Sequence, residues 1–442
     1  MRLSAIPSLF LVCTASYCGA VHDLKQLIDE ALHHNCGIRA LCQSAAAAQL
    51  ECDAQYGAFQ PQLYYQGGTT REDLNRRSDS YQYGYVGADW NLYRGGADHA
   101  ELRRLRALSA ISCLDVEDER RSIAREVAHY YYEILYCTRA LELFGSELSA
   151  NVDYHASADR KWQAGLTSEV DQLEFDLREA ELRGQRKRIQ GDLVNAQQQL
   201  YTLIACPDFE ADMELKGDFC RVRSFDLCKL YQCAISQRIE KSRVCYEQRA
   251  LYQDVVQQRA RQLPSIDLHT TYGTEPDLQD ERSQGWKCHI EVTVPLWDGM
   301  TAYNKTRAAK TRARAQEYAD CQLDHNIHRE LTASLSRLDL LADCLQLEEG
   351  RLRKLEDYWT KTEDAYSRGV MNSPDLAGAA ERLLESRLHI LQLKRDYAFT
   401  LIDLSAAVGC YPPFGCCEEE TPGPTAYDEG ASWVSQAQEQ AQ

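Results

Sequence analysis

The side chains best suited to metal or acid–base chemistry gather at one place in this sequence, where His325 and His328 are flanked by Asp324 and Glu330. Residues three apart share one face of a helix. A zinc site needs three or four protein ligands, and two histidines at this spacing are typical of a helix surface. We therefore expect a surface pair here and not a metal site.

Other motifs that carry chemistry do not occur in the sequence. It has no glycine-rich phosphate loop, no nucleophile elbow and no paired Cys-x-x-Cys spacing of the kind that binds zinc. We therefore predict no catalytic residues, no cofactor-binding residues and no metal site. An enzyme is not the expected class of protein.

Eighteen cysteines are many for a chain of 442 residues. Cys13 and Cys18 lie in the N-terminal segment that resembles a signal, and an even number remains after it. Most of the others, such as Cys137 and Cys344, occupy apolar positions of helical patterns, where cysteine serves as a small hydrophobic residue. An oxidising compartment would permit disulfides, for instance at Cys416 or Cys417, but the sequence does not pair them.

The charge and hydropathy of the chain exclude two classes of protein. The formal net charge is −18, whereas a nucleic-acid partner would require a basic surface. The mean hydropathy is −0.50, and after the N-terminus no stretch offers the roughly 18 to 20 unbroken apolar residues of a membrane helix. Any membrane crossing must therefore be made by strands.

The segment 1–20 resembles a secretory signal. It has a basic residue at Arg2, an apolar stretch over 9–12, and small residues before a predicted cleavage near Val21. A lipoprotein, acylated at Cys18, is the alternative. Tyr17 is a poor residue immediately before a lipidated cysteine, so cleavage without acylation is the favoured interpretation.

The chain contains one internal repeat at a separation of just over two hundred residues. The offset is 203 near the start of each copy and 204 thereafter. The matches include glycines, which determine backbone geometry, and they span the whole copy, as expected for a true repeat. The matched pairs include Asp23/Asp226, Pro61/Pro264, Leu92/Leu296, Gly95/Gly299, Ile123/Ile327, Gly165/Gly369, Asp171/Asp375 and Cys206/Cys410.

The repeat divides the chain into five segments. They are a signal over 1–20, a first repeat over 21–206, an equatorial linker over 207–225, a second repeat over 226–410 and a disordered tail over 411–442. Within each repeat we predict a helix, a strand pair, a very long helix, a tight tip and a returning helix. The tail is rich in Pro, Gly, Glu and Gln, which is typical of disorder.

Strand pairs are predicted over 60–96 and 262–299, because apolar and polar residues alternate there in both repeats. A strand of about ten residues with one apolar face is what a transmembrane barrel requires. A soluble hairpin with one face packed on a helix is the alternative. On the membrane interpretation, the lipid-facing residues are Val86, Ala88, Trp90, Leu92, Ile290, Val292, Val294 and Leu296.

The outgoing strands are predicted to be short, at 63–66 and 266–272, with polar turns over 67–81 and 273–285. The chain therefore has four predicted strands. Four strands do not close a barrel, and open sheet edges are not tolerated in lipid. If these strands cross a membrane, the chain must oligomerise.

The long helices carry heptad repeats. Over 97–161, Ile123, Tyr130, Cys137 and Phe144 are seven apart, and the second repeat has the same register. Sustained heptads indicate coiled-coil packing, and some sixty residues at 1.5 Å each make a rod of roughly 90 to 100 Å. The shorter helices, predicted over 23–56, 168–204 and 226–261, would match such rods when stacked end to end.

Each long helix is predicted to end in a tight tip. Gly165 and Gly369 can adopt the left-handed conformation that terminates a helix. Thr167 or Ser168 would cap the first returning helix, and Ser373 with Pro374 would begin the second. Two plain helical hairpins would also explain these residues.

With a signal, duplicated strand pairs, heptad rods and glycine tips, nearly the whole mature chain resembles the TolC-like outer-membrane factors of tripartite efflux and type I secretion systems. The residues most similar to the family are 91–95 and 295–299 at the strand ends, with Gly165 and Gly369. The fold class implied is an α+β membrane protein. A long coiled-coil α-helical barrel is joined to a transmembrane β-barrel, with four strands per chain closed by trimerisation.

The resemblance also implies a location and partners. The protein would lie in the outer membrane with its helices in the periplasm. It would bind a periplasmic adaptor and receive cargo from an inner-membrane pump of the RND, ABC or MFS type, without cofactors. The implied adaptor-docking residues are Gly165, Leu166, Thr167, Ser168, Gly369, Val370, Met371, Asn372 and Ser373.

Asp375 is implied to form an anionic ring at the tunnel entrance, where close carboxylates would bind cations. Some members carry a second Asp three residues later, where this chain has Gly378. An early-helix carboxylate favoured by the helix dipole is the alternative for Asp375. For the whole chain, the alternative function is a secreted coiled-coil scaffold or adhesin with no transport role.

Overall fold

A computed structural model describes residues 23–74, 77–165, 168–204, 215, 217–274 and 284–412. The predicted signal over 1–20 and nearly all of the predicted tail lie outside the described residues, as does much of the linker. The helices are α1 (Leu24–His34), α2 (Cys36–Ala54), α3 (Ala97–Gln163), α4 (Glu169–Ile204), α5 (Leu227–Gln237), α6 (Ile239–Ala260), α7 (Thr301–Ser367) and α8 (Ser373–Val408). The strands are β1 (Gln62–Leu74), β2 (Arg77–Arg94), β3 (Ser265–Thr274) and β4 (Gln284–Thr293), and a 3₁₀ helix (Gln55–Phe59) precedes β1.

The two halves of the chain have the same order of elements. The long helices α3 and α7 have 67 residues each, and the returning helices α4 and α8 have 36 each. No helix in the described part of the chain is both long and apolar enough to cross a membrane.

The chain forms two compact units, and each takes segments from both repeats. The first comprises the described parts of Met1–Asn35, Ile123–Arg223 and Arg337–Ile402, and it is helical. The second comprises those of Cys36–Ser122, Ser224–Ser336 and Asp403–Gln442, and it contains the sheet.

The core of the first unit is built from the predicted heptad positions. Ile123, Cys137 and Phe144 are each at most 3% exposed. Phe144 packs with Leu182 of α4 and Leu384 of α8 in a buried cluster. The heptads therefore position the returning helices against the long ones, through close packing of apolar side chains.

The four strands form one antiparallel sheet in the order β1-β2-β3-β4. β2 and β3, from different repeats, pair in the middle of the sheet. Asn91 pairs with Asp267 and Tyr93 with Ile266, so Leu92 forms a β-bulge. β1 and β4 each have one edge without a partner among the described residues.

The first strand pair is much longer than predicted. The segment 67–81 was expected to be a turn, but β1 and β2 pair with each other from Gln62, opposite Asp89, to Leu74, opposite Arg77. Polar and glycine-rich composition favours turns, whereas ladder hydrogen bonds use only the backbone. Tyrosine side chains lie over two of the glycines. A Cβ on Gly67 would meet the Tyr65 hydroxyl, and a Cβ on Gly68 would meet the Tyr83 hydroxyl.

The last strand ends earlier than predicted. β4 ends at Thr293, so Val294 and Leu296 lie beyond it, exposed by 51% and 92%. The physical reason lies in the pairing. β3 begins at Ser265, and Ser265 pairs with Thr293. No residue of β3 is therefore left to pair with Val294. Pro295 then lacks the N–H that a continued ladder would need.

The predicted single helices before each strand pair are both broken. Asn35 separates α1 from α2 and Arg238 separates α5 from α6, both in extended conformation. Tertiary hydrogen bonds hold each break. The Asn35 amide donates to the Leu203 carbonyl, and Arg238 donates to Glu330 and to Glu240 at 2.8 Å. Leu203 and Glu330 are far away in sequence from the breaks they hold, so a local helical pattern does not reveal these breaks.

The ion pairs at the second break shift the pKa values of both partners. Burial alone would raise the pKa of Glu240 and lower that of Arg238. The hydrogen bonds between the two reverse both effects, so the pKa of Glu240 is lowered and that of Arg238 is raised, with Glu330 contributing to the latter. Both groups are therefore charged at neutral pH.

Gly95 and Gly299, which are equivalent in the repeat, give a first prediction. Both have positive φ, +63° and +68°. A Cβ on Gly95 would lie 2.9 Å from the Ala260 carbonyl oxygen, whereas nothing lies within 4 Å of one on Gly299. We expect Gly299→Ala to cost about 1–2 kcal/mol for the left-handed backbone. Gly95→Ala should cost about 1–3 kcal/mol more because of the clash.

Denaturant unfolding of both variants measures this difference. Equal losses of stability at the two positions would show that the chain around Ala260 relaxes freely.

Candidate functional site

The apolar side chains of the strands form one continuous exposed face. Val86, Trp90, Ile290 and Val292 are between 40% and 63% exposed. Trp90 pairs with Leu268, which pairs with Ile290, so three apolar side chains stand side by side on neighbouring strands. Ala88, half-buried, lies on the same face, because alternate residues share a face. The structure therefore brings most of the predicted membrane-facing residues together.

The opposite face of the same strands is polar and ordered in rows. Asp89 pairs with His269 and His269 with His289, which makes one row across three strands. Two residues along, Asn91, Asp267 and Glu291 make a second row. Arg94 lies 3.9 Å from Asp267. This face carries charged and hydrogen-bonding groups where the other face carries apolar ones.

The first row and Glu291 of the second row form a compact cluster of potential ligand atoms. His269 Nδ1 lies 2.7 Å from Asp89 Oδ1, and His269 Nε2 lies 3.8 Å from Glu291 Oε2. The rings of His269 and His289 stack with centroids 5.0 Å apart. One ligand atom from each of His269, His289 and Glu291 falls within 4.8 Å of the others.

The two tips adopt the geometry that the glycines predict. Gly165 and Gly369 have φ of +71° and +74° at the ends of α3 and α7. The Ser168 hydroxyl accepts from the Val170 N–H at 3.3 Å, as an N-cap does. Val370 is 77% exposed, Asn372 is exposed, Met371 is half-buried and Ser373 is buried. Leu166 and Thr167 lie outside the described residues.

Asp171 joins the two tips, which the sequence does not reveal. Its carboxylate accepts the backbone N–H of Ser168 at 3.3 Å and that of Ser373 at 3.2 Å. Asp375, its equivalent in the second repeat, is exposed in the first turn of α8. Two matched aspartates thus have different surroundings: one ties the tips together, and the other is open to solvent.

The family of the chain follows from a sequence comparison. Residues 27–205 and 236–410 match the family model for the outer membrane efflux protein. The two matched segments fall within the two repeats and cover most of the sequence. This chain belongs to the outer membrane efflux protein family.

Solved structures with the same fold include outer-membrane channels. CusC superposes with a TM-score of 0.79 at 18% identity, over 90% of this chain and 96% of CusC. A membrane protein from Pseudomonas aeruginosa has a TM-score of 0.77 at 20% identity, over 87% and 93%. The CmeC outer membrane channel of Campylobacter jejuni has 0.74 at 15%, over 87% and 85%. No curated protein sequence matches significantly.

Membership of this family confirms the resemblance and the location that the sequence predicts, and the similar solved structures confirm the long helices joined to a four-stranded antiparallel sheet in each chain. The protein is an outer-membrane efflux protein with a periplasmic helical domain. The family is one of outer-membrane efflux proteins, which are transporters.

The cluster on the polar face of this efflux protein was not predicted from the sequence. The histidines singled out there, His325 and His328, are both exposed, while Asp324 and Glu330 bind Lys241 and Arg238. The signal for the cluster was available. His269 and His289 occupy polar positions at equal distances from the ends of the predicted turn 273–285, so a regular hairpin places them opposite each other.

The matched aspartates of this family member give a second prediction. Asp171→Ala should cost about 0.5–2 kcal/mol, the usual loss at a helix cap. It should also speed hydrogen exchange of the Ser168 and Ser373 amides. Asp375→Ala, the control, should leave both amides protected, because neither donates to Asp375. Unchanged exchange in Asp171→Ala would show that the tips do not depend on this carboxylate.

Proposed function

We propose that this efflux protein is the exit duct of a tripartite efflux or type I secretion system. Three copies would close one barrel in the outer membrane and one helical tunnel in the periplasm. The duct would be passive, as the resemblance to the TolC-like factors implies. An inner-membrane pump of the RND, ABC or MFS type would supply the energy, and a periplasmic adaptor would bind the tips.

The observation that carries this proposal is the four-stranded sheet with one apolar exposed face. Backbone groups at the free edges of β1 and β4 would each cost several kcal/mol in hydrocarbon if unpaired. Pairing β4 of one chain with β1 of the next removes both edges. Three chains with four strands each then give twelve strands, within the range of known outer-membrane barrels.

Exposed apolar stripes on the helices support assembly of several chains. Val170, Leu173 and Leu177 lie on one face of α4 at helical spacing and are 53–63% exposed. Leu340 and Leu347 of α7 lie seven apart and are 61% and 74% exposed. Such stripes in a single chain are suited to packing against a neighbouring copy through coiled-coil contacts.

The tips are the surface proposed for the adaptor. At the second tip Val370 is 77% exposed, and beside the first tip Trp162 and Val170 are 46% and 62% exposed. The docking residues would be those from Gly165 to Ser168 and from Gly369 to Ser373. Asp375, exposed at the start of α8, would contribute one carboxylate per chain to a ring at the entrance and bind cations there.

The mass of the purified protein in detergent tests this proposal. Light scattering should give a trimer, and the trimer should conduct ions across a planar bilayer. Asp375→Ala should lower the preference of that conductance for cations. A water-soluble monomer or dimer without conductance would favour the alternative, a secreted coiled-coil scaffold or adhesin.

A further inference from the structure

We infer that Asp89, His269, His289 and Glu291, called here the histidine row, bind one divalent transition-metal ion per chain. The chemical class is a borderline cation such as Zn²⁺, Ni²⁺ or Co²⁺, which imidazole and carboxylate ligands favour. This function goes beyond export and depends on residues of β2, β3 and β4, three strands that pair directly with one another.

The spacing of the ligand atoms suits a single ion. Two nitrogen or oxygen ligands about 2.1 Å from a tetrahedral metal lie roughly 3.4 Å from each other. His269 Nε2 and Glu291 Oε2 are 3.8 Å apart, and the three ligand atoms, including one from His289, lie within 4.8 Å. His289 and Glu291 are exposed, so small side-chain rotations bring all three atoms to bonding distance. A water molecule would complete the coordination.

Asp89 prepares His269 for metal binding. An ionised carboxylate only accepts hydrogen bonds, so the short contact between Asp89 and His269 requires Nδ1 to carry the proton. In the neutral ring the lone pair is then on Nε2, the atom that faces Glu291. A carboxylate behind a ligating histidine holds the ring in place and increases its basicity.

The surroundings narrow the class of metal. Cys288 belongs to the apolar face, because it precedes His289 on the strand, and so it offers no thiolate to the row. Arg94 is near Asp267 in the second row. The row itself has two imidazoles and two carboxylates. Soft Cu⁺ prefers sulfur ligands and Ca²⁺ prefers oxygen ligands alone, so neither fits as well.

Binding does not depend on the proposed duct, but its location does. If three chains close a barrel with the apolar face outward, the polar face lines the lumen. Three ions would then lie on the wall of the channel, one at each copy of the histidine row. Metal ions there would neutralise carboxylates on the path of the cargo.

The test is a Ni²⁺ titration of the full-length protein in detergent, purified with a histidine-free tag. Calorimetry should show one ion per chain. His289→Ala should weaken binding at least tenfold, and Asp89→Asn should weaken it by about 10- to 100-fold, the usual effect of losing a partner of a ligating histidine. His325→Ala, on an exposed helix face, is the matched control and should bind as the unsubstituted protein does.

Two further measurements make the outcome decisive. Co²⁺ spectra separate imidazole and carboxylate ligands from cysteine thiolates, which give intense charge-transfer bands. Light scattering reports whether each variant keeps its oligomeric state. Glu291→Gln preserves side-chain size and should weaken binding even if an alanine variant is misfolded.

Equal affinity in His289→Ala and the unsubstituted protein, or a spectrum due to thiolates alone, would overturn the inference. A conducting trimer without this site would overturn it and leave the duct intact. A monomer that binds one ion through the row would overturn the duct and leave the inference intact.

Discussion

Ile290→Lys is expected to abolish assembly in the outer membrane. Ile290 is 63% exposed on the apolar face of β4, where it pairs with Leu268 and lies between Cys288 and Val292 along the same face. A lysine on the lipid face of a barrel costs about 2–4 kcal/mol at the bilayer midplane. Three copies would suffer this loss together. The measurement is the amount of trimer in the outer-membrane fraction, with the unsubstituted chain beside it.

Val292 and Thr293 provide the control for that experiment. They are neighbours on β4 and point to opposite faces of the sheet. Their side chains would therefore lie at nearly the same depth in the membrane, one on the apolar face and the other on the polar face. Val292→Lys should reduce assembly, by less than Ile290→Lys because charges near the interface cost only about 0–1 kcal/mol. Thr293→Lys should assemble normally. Equal loss in all three variants would show that the apolar face does not contact lipid.

Phe175→Ala is expected to produce the largest loss of stability near the tips. Phe175 is 1% exposed and packs with Ala158, Tyr366 and Leu376, while Tyr154 stacks on it at 6.2 Å. Replacing a buried phenylalanine with alanine costs about 3–5 kcal/mol. The cavity would loosen the hairpins that end in Gly165 and Gly369. Denaturant unfolding and protease sensitivity of the tips measure the effect.

Phe175→Leu is the matched control, because it keeps most of the volume and all of the apolar character. Its cost should stay below about 1.5 kcal/mol. If both variants lost the same stability, the aromatic contacts and not the filled volume would hold the tips. If neither lost stability, the cluster would not be part of the cooperative core.

Local signals in the sequence were sufficient for the long elements. Heptads predicted the buried positions of α3, including Ile123 and Phe144, because a helix buries residues at fixed sequence spacing. Gly165 and Gly369 marked the tips, since a helix end that needs positive φ favours glycine. Duplication strengthened both signals, because each appeared twice.

Predictions that depended on pairing partners were wrong or incomplete. The length of β1 and the end of β4 are set by the strands that face them, not by their own composition. The breaks at Asn35 and Arg238 are held by Leu203 and Glu330, which are distant in sequence. A local pattern of residues along the chain does not show which distant residues become such partners.

The sequence by itself determined the fold class, the repeat and the apolar strand face of this efflux protein. Helix and strand periodicities depend only on the spacing of nearby residues along the chain. Only the tertiary structure decided what those elements bring together. It placed the Asp171 carboxylate between two tips and aligned Asp89, His269 and His289 across three strands. Hydrogen bonds and metal ligands act over about 3 Å, and only folding brings residues from different repeats that close.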